Sequence, residues 1–454
     1  MTLHKSIFLI KVRNMKKMSI IKPRWILTVN EKFELLTDSA LIIENDIIKS
    51  ILPNSELSEQ SGLEQAEIIE LDNHVLMPGM INTHTHAAMS LMRGIADDLP
   101  LMEWLNDHIW PAESKWVDRQ FIQDGVKLAA AEMIRGGTTC FSDMYFFPDT
   151  MAKTCQQIGI RAVSGLIVID FPTIWAQTAD EYLSKAMTVI DELHEYPLVT
   201  PAFAPHAPYT ISDKPLEKIA MYSSELDLPV HMHIHETLFE VDEAVKNNGI
   251  RPLQRLDQLN LLTPNLIAVH MTSLNEMEID RVAETGANIV HCPESNLKLA
   301  SGLCPLDQLL TKNINVSLGT DGCASNNDQD MFGEMRTAAL LSKGLSGNAS
   351  SCNAEQSIRM ATINGAKTLG LADKIGSLEV GKKADIIAID FSQLNTQPVY
   401  DPVAQLVYAA NSLQVSHVWI DGVNKLSNHQ FTDIDAIEIM QKAQAWQQKI
   451  YPFH

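Results

Sequence analysis

Short runs in which apolar and polar positions alternate open the chain. RWILTV (24–29), ALIIEND (40–46) and IIKSILP (47–53) are separated by polar turns, and this period of two predicts strands of a small sheet between residues 19 and 77. The same texture returns in ADIIAIDFS (384–392) and VSHVWIDGV (415–423), where Asp421-Gly422 closes the alternation with a turn signal. The two ends are expected to pack together as one composite β-sandwich domain, residues 19–77 with 374–430.

Between them the texture changes. Eight strand-like runs, PGMINTHTH, GTTCFSDMYF, IRAVSGLIVI, LVTPAFAPHAP, LPVHMHIHE, NLIAVHMTSL, ANIVHCPESN and NVSLGTDG, alternate with longer helical patterns. Repeated βα units predict a parallel sheet, and eight of them close naturally into a (β/α)₈ TIM-like barrel, here residues 78–373. The fold class is therefore α/β. IEIMQKAQAWQQKIY, within residues 431–454, reads as one amphipathic helix. Met15 and Met18 stand just before the first strand pattern, so residues 1–18 read as an extension outside the fold.

Composition narrows the partners. With 45% hydrophobic and 20% charged residues in 454, the chain can bury a large core. Its 56 acidic against 35 basic residues give a charge of −21, which repels the phosphate backbone and argues against a nucleic-acid partner. The six cysteines are scattered without a CxxC pair, so no disulfide framework or thiolate zinc knuckle is indicated. No apolar run reaches the ~18 residues of a membrane span, and SIFLIKVR is too short and too charged for a signal peptide. A cytoplasmic protein without a membrane partner is expected.

Chemistry enters through histidine. Of 15 histidines, eight (His84, His86, His206, His231, His233, His235, His270, His291) fall at or near the C-terminal ends of the expected barrel strands, where barrel enzymes build their sites. In His84-Thr85-His86, strand alternation turns both imidazoles to one face, a ready pair of ligands for a divalent metal. The fifth strand offers His231, His233 and His235 in alternation, followed by Glu236. One of the three is needed as a third ligand, and spacing does not choose among them. Asp321, after NVSLGT, supplies a carboxylate that suits a metal or a proton. Taken singly, each histidine is a core residue, Asp321 a turn residue and Glu236 a helix cap; their convergence is what points to a site.

The stretches MPGMINTHTHAAMSLMRGIADDLPLMEWL, HMHIHET, HCPESNLKLASG and GTDGCASNNDQDMFGEMRTAALLSK resemble the amidohydrolase superfamily, in its 5-methylthioadenosine/S-adenosylhomocysteine deaminase and triazine-hydrolase-like branch. The likeness runs from about Pro23 to Val423. It implies hydrolytic deamination of an adenine ring, with 5′-methylthioadenosine, S-adenosylhomocysteine or adenosine giving the inosine derivative and ammonia. By this resemblance the ligands are His84, His86, His233 and Asp321, His233 being selected because it stands three residues before the catalytic glutamate, Glu236. His231 and His235 then become supporting residues. The resemblance further makes Glu236 the acid that protonates ring N1, and His270 with Asp321 the groups that take a proton from the attacking water. Glu113 would hold the ribose 2′- and 3′-hydroxyls and His206 would touch the substrate.

Binuclear relatives carry a lysine at the end of the fourth strand. PAFAPHAPYT has none, and Lys214 and Lys218 fall in the following helix, so one divalent metal, zinc, is expected. Met89, Met92, Trp104, Trp110 and Trp116 are candidates to line a pocket for the purine and a 5′-thioether. No arginine for a carboxylate-bearing tail is located by motif, Arg93 only standing near that region, which favours 5′-methylthioadenosine over S-adenosylhomocysteine. The partner implied is a small-molecule nucleoside, and the family likeness implies a homodimer. The competing readings are a deaminase or hydrolase of a free base or triazine ring and a non-catalytic scaffold, the last disfavoured because every ligand position is filled.

Overall fold

The structure is a computed structural model that describes residues 18–450. Residues 1–17 of the expected extension, and the end of the C-terminal segment from 451 to 454, lie outside the described residues. Met18 already belongs to the first strand, Met18–Leu27.

Eight parallel strands form the barrel: Met80–Thr85, Thr138–Tyr145, Arg161–Val168, Val199–Pro205, Val230–Ile234, Leu266–His270, Asn288–His291 and Val316–Leu318, each hydrogen-bonded to the next in chain order. The first and eighth meet through a parallel bridge between Thr85 and Asp321, where the Asp321 N–H donates to the carbonyl of His84 at 3.0 Å. Barrel closure thus brings the first and last barrel strands together at the site. Gly319 permits that approach, since a Cβ there would stand 2.8 Å from both Cβ and N of His84. The strands are buried on both faces, which is why they read as nearly continuous apolar runs.

The two chain ends form a second sheet of nine strands. Its path runs from Gln430–Phe431 through Val423–Ser427, Val415–Ile420, Ile386–Asp390 and Glu67–Pro78 to Met18–Leu27, Ser39–Glu44 and Ile47–Pro53, with Leu35–Thr37 beside Met18–Leu27. The joint is the antiparallel pairing of Glu67–Pro78 with Ile386–Asp390, from Ile386 opposite Pro78 to Asp390 opposite His74. Where a sandwich divides its strands between two hydrogen-bonded sheets, hydrogen bonding here is continuous across both segments. The period of two still sorts the faces. Val75, Met77, Ile387 and Ile389 join the core shared with the barrel, and Leu76, Ile386, Ala388 and Trp419 form a separate cluster on the other face.

A buried ion pair ties the sheet to the barrel floor: Arg161 donates to Asp385 from Nε at 2.8 Å and from Nη2 at 3.0 Å. The helix Ala436–Ile450 packs on the barrel helix Arg119–Arg135 through Trp446, whose ring meets Phe121 edge-on at 5.2 Å. Among the described residues no helix is long and apolar enough to cross a membrane.

Candidate metal centre and active site

The C-terminal mouth of the barrel gathers the imidazoles. His84 and His86 end the first strand, His233 lies on the fifth and Asp321 follows the eighth; one ligand atom from each falls within 4.8 Å of all the others. Asp321 Oδ1 is 3.2 Å from Nε2 of His84 and from Nε2 of His86, and Nε2 of His84 and His233 are 3.2 Å apart. These spacings match the edges, about 3.3 Å, of a tetrahedron with metal–ligand bonds of about 2.0–2.1 Å.

The far side of each ring fixes which nitrogen is bare. His86 Nδ1–H donates to the Met144 carbonyl at 2.6 Å and His233 Nδ1–H to the His206 carbonyl at 2.7 Å. His84 Nδ1 meets Nε2 of His231 at 2.9 Å, and His231 Nδ1 meets the Ser142 hydroxyl at 3.2 Å. With a proton on each Nδ1, three bare Nε2 atoms and one carboxylate oxygen converge on a point, an arrangement that repels itself unless a cation sits there. The donor set fits zinc. Asp321 is itself held: Ser295 and Ser325 donate to Oδ2 at 2.7 and 2.9 Å, and the Gly322 N–H to Oδ1 at 2.8 Å.

Burial sets the charge states. It holds His84 down to about 4 and His233 well below its ordinary value. At His86 burial is outweighed by Asp321, which raises the imidazole to about 9, so a divalent ion must displace that proton. Burial raises Asp321 less than His84 and His86 lower it, and the carboxylate stays well below its usual range.

Two further groups flank the cluster. Glu236 is buried, and burial raises its carboxyl above the ordinary value despite His270 nearby. Its side chain does not cap the next helix: Thr237 caps Leu238–Asn248, and the buried Glu240 accepts the backbone N–H groups of His235 and Glu236. His270 Nε2 lies 3.8 Å from Glu236 Oε2, while its Nδ1 lies 2.9 Å from Asn296 Oδ1. His270 and Asp321 both sit in the left-handed backbone region, at φ 75° and 65°, a conformation costing on the order of 1–3 kcal/mol that surrounding contacts must hold.

Above them opens a cavity of about 450 Å³ whose walls include Glu113, His206, Glu236, His270 and Asp321. Glu113 accepts from the Tyr145 hydroxyl at 2.7 Å, and burial pushes its carboxyl up to about 7. His206 is held neutral by burial, down to about 3, with Nδ1 3.2 Å from the Thr210 hydroxyl. Met89, Trp104 and Trp110 line the cavity. Met92 is spent in the core and Trp116 packs half-buried against that core, and neither of these candidates lines the cavity. Arg93 pairs with Glu132 and does not line the cavity. Lys218 is engaged by Asp180 and Lys214 is exposed, leaving the fourth strand without a lysine at the cluster.

His231 lies deeper in the barrel than the ligands, and His235, past the strand end, is buried and accepts the Leu253 N–H at 3.3 Å. Sequence reasoning did not single out Tyr145, Ser295, Asn296 or Ser325. Ser295 and Asn296 stand within HCPESNLKLASG and Ser325 within GTDGCASNNDQD, so the motifs carried them without a role; Tyr145 had no local signal, since its partner Glu113 is 32 residues away.

Residues 75–425 match the amidohydrolase family. The chain belongs to that family. This amidohydrolase is 48% identical over 431 residues to the 5-methylthioadenosine/S-adenosylhomocysteine deaminase of Saccharophagus degradans, covering 95% of this chain and 96% of that relative. Among solved structures it is similar to an adenosine deaminase from Xanthomonas campestris with bound zinc, at 46% identity and a TM-score of 0.93, covering 95% of this chain and 98% of the other. An atrazine chlorohydrolase from Arthrobacter aurescens shares the fold at a TM-score of 0.88 and 23% identity, covering 94% of this chain and 99% of that one. The superfamily resemblance carried by the four motifs is borne out, and so is the barrel.

Proposed function

We propose that this amidohydrolase removes the exocyclic amine from the adenine ring of a nucleoside with a neutral 5′ substituent, 5′-methylthioadenosine foremost, yielding the inosine derivative and ammonia. One observation carries the reading: the four-ligand cluster lies beside a buried, non-ligating Glu236 and under a cavity that also holds Glu113. A divalent ion held by His84, His86, His233 and Asp321, zinc by its donor set, would supply a Lewis acid that makes water nucleophilic near neutral pH.

The chain's own residues then divide the protons. As water adds to C6, ring N1 becomes basic, and Glu236, whose carboxyl burial raises above its ordinary value and so favours the protonated form, donates to it. His270 Nε2 and Asp321 receive the first water proton and pass it to the amine, which leaves as ammonia when the C6–N bond breaks. The remaining hydroxyl proton returns to Glu236 as C6 becomes a carbonyl. Glu113, oriented by Tyr145, offers a carboxylate to the ribose hydroxyls, and His206 supplies a neutral imidazole against the substrate.

The finer choice of nucleoside rests on the walls. Among the described residues lining the cavity there is no lysine or arginine, and Ile167, Ile169, Phe171 and Ile174 form one side. A thioether suits that surface, whereas the carboxylate of a homocysteine tail would lose water without gaining a partner. A spectrophotometric panel tests the reading. Relative kcat/KM should rank 5′-methylthioadenosine above adenosine and S-adenosylhomocysteine, with guanine, cytosine and a chlorotriazine far below. Preference for a free base or a triazine ring contradicts it. The six cysteines, all unpaired and buried, support the reading as a cytoplasmic enzyme.

A further inference from the structure

His270 has been given one task, to accept a proton at Nε2 and return it, and that task requires Nε2 to be bare at the start. The ring alone does not ensure this, because neutral imidazole exists in two tautomers. Asn296 stands behind it. Its carbonyl oxygen lies 2.9 Å from His270 Nδ1, so the proton on that side belongs to Nδ1. Asn296 is 2% exposed, sits on the short helix Pro293–Lys298 after the seventh strand, and leaves its amide Nδ2 buried without a partner among the described residues. A buried asparagine kept for packing or helix structure would be expected to use both ends of its amide. This one spends its oxygen on His270 and leaves the other end unmet.

We propose that Asn296 is a positioning residue that fixes the tautomer of His270, with the proton on Nδ1 and the lone pair on Nε2. The inference rests on the assignment of His270 as the proton carrier in the proposed reaction. The neutrality of the partner is itself functional. In serine hydrolases an aspartate in the corresponding place stabilises the imidazolium formed at the base. Here the accepted proton must be surrendered within the same turnover, to an amine only one step away. An amide oxygen orients the ring and selects the nitrogen without holding the added proton. No atom is consumed: Nδ1–H stays in place while Nε2 binds and releases one proton.

The test uses the full-length, zinc-loaded enzyme labelled with ¹⁵N-histidine, with His270→Gln subtracted to identify the His270 signals. The wild-type ring should show a protonated Nδ1 and a bare Nε2. Asn296→Leu, similar in size but without the acceptor, should lose that preference and lower kcat by about 10- to 100-fold, the usual effect of losing an outer partner, with KM within about twofold. Asn296→Asp, which keeps the acceptor, should retain the tautomer and recover part of kcat relative to the leucine variant. A wild-type ring protonated on Nε2, or a leucine variant with unchanged tautomer and kcat, overturns the proposal. An enzyme with the expected tautomer that deaminates no nucleoside would instead overturn the proposed reaction and leave the tautomer assignment standing.

Discussion

The floor and the wall of the cavity are built by different rules. On the floor, the four clustered ligands and His270 are each fixed from behind: His84 by His231, His86 by the Met144 carbonyl, His233 by the His206 carbonyl, His270 by Asn296, Asp321 by two serines. On the wall, Phe171 and Ile174 remain 43% and 54% exposed on a loop, and the segment Trp104–Ile109 is a π-helix, a form often found at functional sites. The lesson is a division of labour. Rigid strand ends set the reaction, and loops laid over them set which molecule undergoes it.

The largest effects should come from breaking the floor. Asp321→Ala is expected to lose stoichiometric zinc and activity together, read by metal analysis and ammonia release. Glu236→Gln should retain zinc yet lower kcat by about 10²–10⁴, since it removes an acid and leaves the ligands in place. If Glu236→Gln also lost the metal, Glu236 would belong to the ligand set and not stand beside it as a separate acid.

The wall should respond in specificity. Ile174→Arg, at an exposed position on the cavity rim, should raise the S-adenosylhomocysteine to 5′-methylthioadenosine ratio of kcat/KM by about tenfold or more, the worth of one charge-assisted hydrogen bond. An unchanged ratio would mean that the tail lies in solvent. The smallest effect is one of pH. Glu113, raised to about 7 by burial, is a carboxylate above that pH and a neutral acid below it. If Glu113 holds the ribose as proposed, a ribose hydroxyl would donate to the carboxylate, and KM for nucleosides should rise as pH falls through about 7. Tyr145→Phe removes the hydrogen bond that favours the charged form and should move that midpoint upward.

How much of this could be read in the sequence follows from the same contrast. His84-Thr85-His86 was legible because alternation is local: two residues along a strand share a face whatever the rest of the chain does. The choice of His233 was not legible from spacing, because His231, His233 and His235 alternate alike. Depth decides it. His231 sits one strand-step deeper, at the back of His84, and His235 lies past the strand end with φ 53°, turned to the Leu253 N–H. The chain ends showed their strands, but continuous pairing of Glu67–Pro78 with Ile386–Asp390 depends on contacts over 300 residues apart. Met92 and Trp116 failed as wall residues because apolar character alone does not tell a pocket from a core.

The central claim is that four separated side chains meet on one cation beside an acid that does not bind it. Anomalous diffraction at the zinc edge, from crystals of the zinc-loaded enzyme, tests it most directly. One peak per chain is expected, within about 2.0–2.2 Å of His84 Nε2, His86 Nε2, His233 Nε2 and an Asp321 oxygen, with Glu236 outside bonding distance. Two peaks, a peak ligated by Glu236 or His231, or no peak among these residues would contradict the account.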